Sequence, residues 1–336
     1  MSVPPVSVLL PFRDEEAYLE SALASLAGQE MPDFEVVMVD DGSTDDSAAI
    51  AGAWAERDRR FRLVDSCGEG LVEALNTGLA RCRGDWVARM DADDESLPQR
   101  LGLQLRAAEE SGPRTVVSCL VELFPRQRVS EGMGLYMSWL NGLTGPAEIE
   151  RSLFVESPLA HPSAFYHRAT VLAAGGYRDL GVPEDYELWL RLWKLGLSFR
   201  KVEEVLLRWR ERPDRLSRCS PTYARQRFYR LKAMYLGLVP ALACGRAILW
   251  GSGQSGRRLS RWLLREGLDI EAFVDVAPSR IGHRMRGRPI VAPERLQSME
   301  GLPVLVCTRS PQAMREIESW LRASGRREWE DFLLCG

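Results

Sequence analysis

Lysine, histidine and long apolar runs are scarce in this chain of 336 residues. Only three of its 44 basic side chains are lysine, and its three histidines (His161, His167 and His283) lack the H-E-x-x-H spacing of a zinc peptidase. The longest apolar run, around Ala233–Cys244, contains Pro240. It is shorter than the roughly 20 apolar residues that span a bilayer. The sequence therefore predicts neither a helical zinc-peptidase site nor a transmembrane helix.

Cysteine pairs are also missing. The seven cysteines, at positions 67, 82, 119, 219, 244, 307 and 335, are scattered and include no C-x-x-C pair. Such spacing argues against a disulfide framework and a cysteine zinc site, and favours small buried thiols in a reducing compartment. The N-terminus has neither the basic region nor the apolar core of a signal peptide, so we expect a cytoplasmic protein.

The composition that is present is that of a folded protein with an uneven charge distribution. Apolar residues make up 45% and charged residues 27%, which excludes a disordered or fibrous chain. The net charge is only −3, yet residues 1–110 carry 10 basic and 23 acidic side chains. An acidic first third argues against nucleic acid as a partner there. It is compatible with an anionic site that needs a metal ion.

Strands and helices alternate along most of the chain. Val6–Phe12 is a continuous apolar run typical of a strand buried on both faces, and Glu15–Gly28 has apolar residues at helical spacing. Repeated βαβ units predict an α/β fold with a mostly parallel sheet. Residues 126–160 are less regular, which indicates an inserted segment. The best linker is 238–245, so we predict domains over 1–237 and 246–336.

Two acidic groups follow predicted strands, at Asp40–Asp45 and at Asp91–Asp94. Ligands of open α/β sheets bind at those strand ends. Asp91 and Asp93 are two residues apart and would project to one side of an extended segment. Converging carboxylates favour Mg²⁺ or Mn²⁺ shared with diphosphate oxygens. The alternative is an acidic turn that caps the helix beginning near Pro98.

The sequence around these groups resembles family 2 glycosyltransferases of the GT-A fold. Four segments carry the resemblance, within about residues 5–215: 6–26, 34–47, 70–101 and 161–196. It implies an enzyme that moves a sugar from a nucleotide-diphospho-sugar, a UDP-sugar, to an acceptor hydroxyl with inversion, using Mn²⁺ or Mg²⁺. It also implies a role in surface polysaccharide or other glycan synthesis. A lipid-linked acceptor would be met at the inner face of the membrane, by peripheral association.

The resemblance assigns the nucleotide to the first two loops. It places the nucleobase and ribose at Pro11, Arg13 and Asp41, with Asp41 accepting a hydrogen bond from a uracil ring N–H. Asp14 stands where many relatives have asparagine, so a base contact by Asp14 is in doubt. Glu16 matches an acidic position of the family, and the alternative is a helix acid favoured by the dipole of a first turn.

The resemblance also assigns the metal and the catalytic base. Asp93 would ligate the metal, while Asp91 would hold the ribose or contribute to the metal site. Two adjacent acids, Glu184 and Asp185 (the E-D pair), complete the site: Glu184 would contact the donor, and Asp185 would be the general base of the reaction. Asp185 also shares a predicted helix face with apolar residues such as Trp189, so an acid there calls for a function. The alternative is that Asp185 caps its own helix.

Two basic positions are open to two interpretations each. Arg212 stands where many relatives have a histidine, in a segment that closes over the diphosphate, so it could clamp a phosphate. The alternative is a solvated basic end of a strand. His161 either lies near the acceptor or the metal, or is structural.

A second motif lies near the C-terminus. Gly251, Gly253 and Gly256 form G-x-G-x-x-G between a predicted strand and a helix, and Asp275 ends the next strand. This is the dinucleotide-binding arrangement. Residues 246–336 resemble small Rossmann-like nucleotide-binding modules but have no evident catalytic acid or base. They would form either a second nucleotide site or a structural or docking module.

Two other functions compete with the transferase. A sugar nucleotidyltransferase would need a glycine-rich loop after the first strand, where Phe12–Glu16 has no glycine. A nucleotide- or sugar-nucleotide-binding regulatory protein with an inactive transferase domain would not need the intact set Asp41, Asp91, Asp93 and Asp185.

Overall fold

The computed structural model describes residues 3–66 and 68–336, so Cys67 lies outside the described residues. The chain divides into two compact units. The first contains the described residues up to Glu150, then Pro158–Leu180 and Glu184–Arg215. The second contains Arg151–Ser157, Gly181–Pro183 and Leu216–Gly336.

Strands and helices alternate as predicted up to Phe124, apart from the added short strand Glu95–Ser96. Up to residue 210, the strands are β1 (Val6–Phe12), β2 (Phe34–Asp40), β3 (Phe61–Asp65), β4 (Trp86–Arg89), β5 (Glu95–Ser96), β6 (Thr115–Phe124), β7 (Phe165–His167) and β8 (Ser198–Arg210). The helices are α1 (Leu19–Ala27), α2 (Ser47–Arg57), α3 (Leu71–Arg81), α4 (Arg100–Ser111), α5 (Glu131–Asn141), α6 (Pro146–Ser152), α7 (Arg168–Ala173) and α8 (Glu184–Lys194).

These strands form one sheet in the order β3-β2-β1-β4-β7-β6-β8-β5. The pairs β1–β2, β1–β4, β2–β3 and β6–β8 are parallel, and the pairs that involve β7 or β5 are antiparallel. The mostly parallel α/β sheet is therefore confirmed. Strand order reverses between β1 and β4, which places the loops after β1, β2 and β4 at one edge, where ligands of such sheets bind.

Two local predictions need correction. The first helix begins at Leu19 and not at Glu15, because the amides of Tyr18 and Leu19 both bond to the Glu15 carbonyl in a turn (3.0 and 2.9 Å). The segment 126–160 is more regular than expected, since it holds α5 and α6. Its apolar residues, among them Met137 and Leu140, pack against the β6 and β8 side chains.

A buried carboxylate in β2 forms hydrogen bonds with β1, with β3 and with the segment before β4. Glu35 of β2 is 1% exposed and accepts hydrogen bonds from Ser7 Oγ (2.7 Å), from the Arg83 amide (2.7 Å) and from Arg62 Nη1 (2.8 Å). Burial alone would raise the pKa of Glu35, but these hydrogen bonds outweigh it and hold the pKa below its usual range. The ionised form of Glu35 therefore stabilises the fold.

Replacement of Glu35 by glutamine should cost about 1–3 kcal/mol of unfolding free energy at neutral pH, because charge-assisted hydrogen bonds are lost. Because folding lowers the pKa of Glu35, this contribution is complete above the pKa of the unfolded state, about 4.3. It is lost as pH falls through the pKa of the folded state. Urea unfolding at pH 7 and pH 3 would measure it. Glu109→Gln, an exposed acid of α4, is the control; equal losses for both variants would contradict the assignment.

The second unit contains a smaller sheet. Its strands are β9 (Arg246–Trp250), β10 (Asp269–Val274), β11 (Arg284–Met285), β12 (Arg288–Val291), β13 (Val304–Val306) and β14 (Phe332–Leu334). Its helices are α9 (Leu216–Cys219), α10 (Arg225–Leu236), α11 (Gln254–Arg265) and α12 (Pro311–Ala323). The order is β11-β12-β10-β9-β13-β14, parallel except at β11. This is the Rossmann-like order, with the strand reversal between β9 and β13.

The division between the units differs from the predicted boundary at 237 and the predicted linker at 238–245. Helix α10 packs against α11 and buries Leu231, Ala233 and Leu236, so it belongs to the second unit. Residues 238–245 therefore connect α10 to β9 inside that unit. The sequence could not show this, because the partner of α10 lies further along the chain.

The cysteines agree only in part with the expectation of buried thiols. Cys82, Cys119, Cys307 and Cys335 are buried, but Cys219 and Cys244 are exposed, on the short helix α9 and on the loop before β9. Within residues 3–66 and 68–336, no helix is both long enough and apolar enough to cross a membrane.

Candidate active site

The loops after β1 and β2 are joined by side-chain hydrogen bonds. Asp14 Oδ1 accepts from the Thr44 amide (2.7 Å) and hydroxyl (3.1 Å). Glu16 Oε2 accepts from the Asp46 amide (3.1 Å), directly before α2. Glu16 precedes α1, so it is not the first-turn helix acid of the alternative interpretation. In this structure Asp14 and Glu16 hold the two loops against each other.

The residues assigned to the nucleobase lie in the same region. Asp41 is buried, and its Oδ1 accepts from Ser66 Oγ and from the Gly70 amide, both at 3.0 Å. Pro11 lies in β1 opposite a residue of β2. The Arg13 side chain is half exposed, with Nε 3.8 Å from an Asp14 oxygen. These three positions therefore border one end of the sheet.

Three carboxylates converge after β4. Oxygens of Asp91, Asp93 and Asp94 lie within 4.8 Å of one another. Asp94 is fully buried, and its Oδ1 accepts from the Arg210 amide (2.7 Å). Its Oδ2 has no hydrogen-bond partner among the described residues. Burial, and then the charges of Asp93 and Asp91, raise the pKa of Asp94 well above its usual range.

These oxygens fit a divalent cation, because hard cations bind carboxylate ligands. A cation would also provide an interaction for the buried Asp94 Oδ2, which has no hydrogen-bond partner among the described residues. The two residues expected from the D-x-D spacing, Asp91 and Asp93, are both in the group. Asp94 joins them as a third carboxylate. The capping alternative is not what the geometry shows, because helix α4 begins further on, at Arg100.

Arg212 lies directly against this acidic group. Its Nε is 3.0 Å from Asp93 Oδ2, and its guanidinium also pairs with Glu15 (Nη1 to Oε2, 2.9 Å). Its side chain is only 13% exposed, which excludes the solvated basic strand end as a description of this structure. The guanidinium also stacks over the Tyr18 ring at 5.2 Å from its centroid. Arg212 is thus a cation in an acidic site with little exposure to solvent.

Glu15 is a residue that the sequence reasoning missed. Burial raises its pKa to about 7 in spite of the opposing effect of Arg212, and the charges of Asp93 and Asp91 add to the rise. The signal that could have found it is the acidic run directly after β1, where strand ends carry ligand-binding residues. Glu15 anchors Arg212 from the loop after β1.

Arg89 was also missed. It lies in β4, is 2% exposed and pairs with Asp91. Its Nε has no hydrogen-bond partner among residues 3–66 and 68–336. Its positive charge acts on the pKa of His161 and of Asp185 as well. A charged residue inside a buried strand is rare unless it is paired, and that was the available signal.

The E-D pair begins α8. Glu184 is buried, and its Oε1 lies 3.7 Å from His161 Nδ1. His161 Nε2 is 3.0 Å from the Tyr177 hydroxyl. Burial, and then the charge of Arg89, lower the pKa of His161 well below its usual range, so the imidazole is neutral. This buried position favours the structural interpretation of His161.

Asp185 is partly exposed, and Oδ1 accepts from the amide of Tyr186 (2.7 Å). The capping alternative thus has one hydrogen bond in its favour. Burial, and then the charge of Glu184, raise the pKa of Asp185 above its usual range, which makes it a stronger base when ionised. Two further charged residues of α8, Glu187 and Arg191, are buried, and they form an ion pair with each other (2.9 Å).

The second motif has the predicted glycine geometry. Gly251 has φ +123°, and a Cβ there would lie 2.6 Å from the Cys307 carbonyl oxygen. A Cβ on Gly256 would lie 1.9 Å from the Gly251 oxygen. Both positions therefore require glycine. Gly253 differs, because the nearest atom to its Cβ would be an Arg280 nitrogen at 3.7 Å.

Asp275 is engaged inside this loop. Its Oδ2 accepts from the Ser252 amide (3.1 Å) and from Arg280 Nη1 (3.0 Å), and its Oδ1 accepts from the Ala277 amide (3.0 Å). Burial would raise the pKa of Asp275, but these hydrogen bonds outweigh it and lower the pKa. The carboxylate thereby stabilises the turn. Binding of a nucleotide at this second site stays a prediction.

Comparisons with known proteins identify the family of this chain. Residues 7–168 match the model of glycosyl transferase family 2. The chain is 32% identical over 215 residues to the amylovoran biosynthesis glycosyltransferase AmsE of Erwinia amylovora, covering 63% of this chain and 78% of that protein. The chain belongs to glycosyltransferase family 2. This transferase is also 27% identical over 210 residues to an Escherichia coli UDP-Gal:alpha-D-GlcNAc-diphosphoundecaprenol beta-1,3-galactosyltransferase, covering 61% and 73% of the two chains.

The fold of this glycosyltransferase matches that of solved relatives. The crystal structure of S. aureus TarS residues 1–349 in complex with UDP superposes with a TM-score of 0.55 at 18% identity, covering 77% of this chain and 71% of that chain. The GT-A fold and the glycosyltransferase class expected from the sequence are confirmed. These comparisons do not favour a nucleotidyltransferase or a regulatory protein.

Proposed function

We propose that this glycosyltransferase is an inverting, metal-dependent enzyme that moves a sugar from a UDP-sugar to an acceptor hydroxyl of a growing glycan. The observation that carries the proposal is the convergence of Asp91, Asp93 and Asp94 within 4.8 Å at the strand reversal. A nucleoside diphosphate needs such a site, because its charge must be neutralised as it leaves.

The donor and acceptor classes are supported by relatives. The E. coli relative is named for UDP-Gal and for a diphosphoundecaprenol acceptor, and AmsE is named for amylovoran biosynthesis. We extend a uridine donor and a polysaccharide or lipid-linked acceptor to this chain. Asp41 at the end of β2 would read the uracil, with Pro11 and Arg13 beside it.

Mn²⁺ or Mg²⁺ would be held by Asp93, with Asp91 and Asp94 beside it. The cation would neutralise the negative charge of the leaving diphosphate. Arg89 pairs with Asp91 and so fixes the orientation of that carboxylate. Glu184 would contact the donor sugar from the start of α8.

Asp185 would act as the general base. It takes the proton from the acceptor hydroxyl while that oxygen bonds to the anomeric carbon. The bond from that carbon to the diphosphate oxygen breaks on the opposite face, so the configuration inverts. The raised pKa of Asp185 suits this role, because it increases the affinity of the carboxylate for the proton.

Arg212 would change partners in this cycle. Arg212 now lies against Asp93; with a cation held by Asp93, the guanidinium would be available to pair with the diphosphate instead. Arg212→Gln should therefore strengthen Mn²⁺ binding without nucleotide by about tenfold, because a positive charge 3.0 Å from the ligand is removed.

Calorimetric titration with Mn²⁺ measures the Arg212 effect. Arg208→Gln, the same charge change four residues earlier in β8, is the control, because Arg208 pairs with Glu95 and not with the acidic group. Unchanged Mn²⁺ affinity in Arg212→Gln would contradict competition between guanidinium and metal.

The proposed donor is tested by titrating UDP, GDP and TDP into the full chain with Mn²⁺ and with EDTA. We expect UDP to bind most tightly and only with Mn²⁺. Equal binding of the three nucleotides would refute the uridine assignment. Equal binding in EDTA would refute the metal dependence.

A further inference from the structure

One face of helix α11 carries arginines that the transferase site does not use. Arg257, Arg261 and Arg265 recur at every fourth position and are exposed, while Leu259 and Leu263 on the opposite side are fully buried. Arg286, at the tip of the β11–β12 hairpin, is exposed beside them. We call these four arginines the arginine face.

The arginine face has no acidic counterpart. None of the four arginines has a carboxylate within 4.0 Å in the part of the chain that the structure describes. By contrast, Arg288 pairs with Asp269 at 2.6 Å in the same unit. Some burial, and then the charges of Arg261, Arg257 and Arg265, lower the pKa of Arg286. Four like charges repel one another, and an anionic partner would relieve that repulsion.

The hairpin holds this arrangement in place. Arg286 adopts a left-handed backbone conformation (φ +53°), which is rare for a residue with a long side chain. Its Nε donates to Ser260 Oγ and its Nη2 donates to the Arg257 carbonyl, both at 3.0 Å. The fourth charge is therefore fixed on α11 by two hydrogen bonds.

Apolar groups accompany these charges. Leu264 follows Arg261 by three positions on the same side of the helix and is 40% exposed. Trp262 directly follows Arg261 and so lies on the other flank of the arginine face, with the Arg265 guanidinium stacked 4.8 Å from the ring centroid. Arginines interleaved with an exposed leucine and a tryptophan are what an amphipathic helix presents to the headgroup region of a bilayer.

We propose that the arginine face binds the anionic surface of a phospholipid membrane. Clustered basic residues are attracted to anionic headgroups, each contributing about a fivefold gain in affinity. The partially exposed Trp262 and Leu264 add an apolar contact that a purely electrostatic partner would not use. This inference does not depend on the identity of the donor sugar, so it can fail while the proposed transferase function holds.

The test is sedimentation of the full chain with vesicles. We expect binding to vesicles containing phosphatidylglycerol, no binding to pure phosphatidylcholine, and weakening as salt is raised. The triple variant Arg257→Gln, Arg261→Gln, Arg265→Gln should bind phosphatidylglycerol vesicles about 100-fold more weakly, from three lost contributions. A single reversal, Arg261→Glu, should weaken binding at least tenfold and serves if the triple variant fails to fold.

The matched control removes three arginines elsewhere in the second unit, with Arg295→Gln, Arg309→Gln and Arg315→Gln, all exposed and without acidic partners in the described chain. It should keep most of the binding. Equal losses in both triple variants would overturn the proposal, because net charge would then explain the effect. Absence of binding to phosphatidylglycerol vesicles would also overturn it. Tighter binding to duplex DNA than to vesicles, lost in the Arg257/Arg261/Arg265 variant, would assign the face to nucleic acid instead.

Discussion

Replacement of Asp185 by asparagine should reduce sugar transfer by about 10²–10⁴-fold and leave donor binding unchanged. Asparagine keeps the shape of the side chain and can still accept from the Tyr186 amide, but it cannot take the acceptor proton. Initial rates of transfer and calorimetric binding of UDP with Mn²⁺ separate the two effects. Asp33→Asn, the same change at an exposed acid before β2, is the control. Full turnover by Asp185→Asn would remove Asp185 from the reaction.

The raised pKa of Asp185 gives that variant a second signature. A general base works when ionised, so wild-type kcat should fall as pH decreases, with a midpoint above the ordinary aspartate pKa of about 3.9.

The raised pKa of Asp185 also means that the folded state holds the proton more tightly than the unfolded state. The ionised carboxylate therefore destabilises the fold at pH values above the unfolded pKa. We expect Asp185→Asn to melt about 2–4 °C higher than wild type at pH 8, and no higher at pH 3.5.

Replacement of Asp93 by asparagine should abolish metal-dependent donor binding, with a loss of at least about 100-fold. An amide oxygen is a much weaker ligand for Mg²⁺ or Mn²⁺ than a carboxylate, and Arg212 would lose its partner at 3.0 Å as well. Calorimetry with UDP in Mn²⁺ and in EDTA measures the change. The Asp33→Asn control should bind as wild type does. Retention of a Mn²⁺-dependent increase in UDP affinity by Asp93→Asn would show that the cation is held elsewhere.

The sheet and its acidic edge could be predicted because their signals are local. A continuous apolar strand such as Val6–Phe12 can be recognised from its own residues, and parallel strands bring the residues after them to one edge. Asp91 and Asp93 were found in this way, and the structure places both in one group. Gly251 and Gly256, where a Cβ would collide with backbone, belong to a motif that was found from its spacing alone.

The rest depends on which charged side chains the fold buries together. Arg212 was open to two interpretations, a phosphate clamp or a solvated strand end, and its pairing with Glu15 of the loop after β1 was not foreseen. In α8, Glu187 and Arg191 are buried and form an ion pair with each other, although such residues are mostly exposed. Arg89 orients Asp91 from inside a strand. In each pairing a protein group replaces water around a charged side chain, and the sequence does not show which charged side chains become buried.

The central claim is that the acidic group after β4 serves transfer from a UDP-sugar. The most direct measurement is release of nucleoside diphosphate from a panel of UDP-, GDP- and TDP-sugars by the full chain, with Mn²⁺ and with EDTA. We predict UDP release from at least one UDP-sugar, dependent on Mn²⁺ and absent in Asp93→Asn. Absence of nucleoside diphosphate release from every donor in Mn²⁺, or equal release in EDTA, would contradict the account.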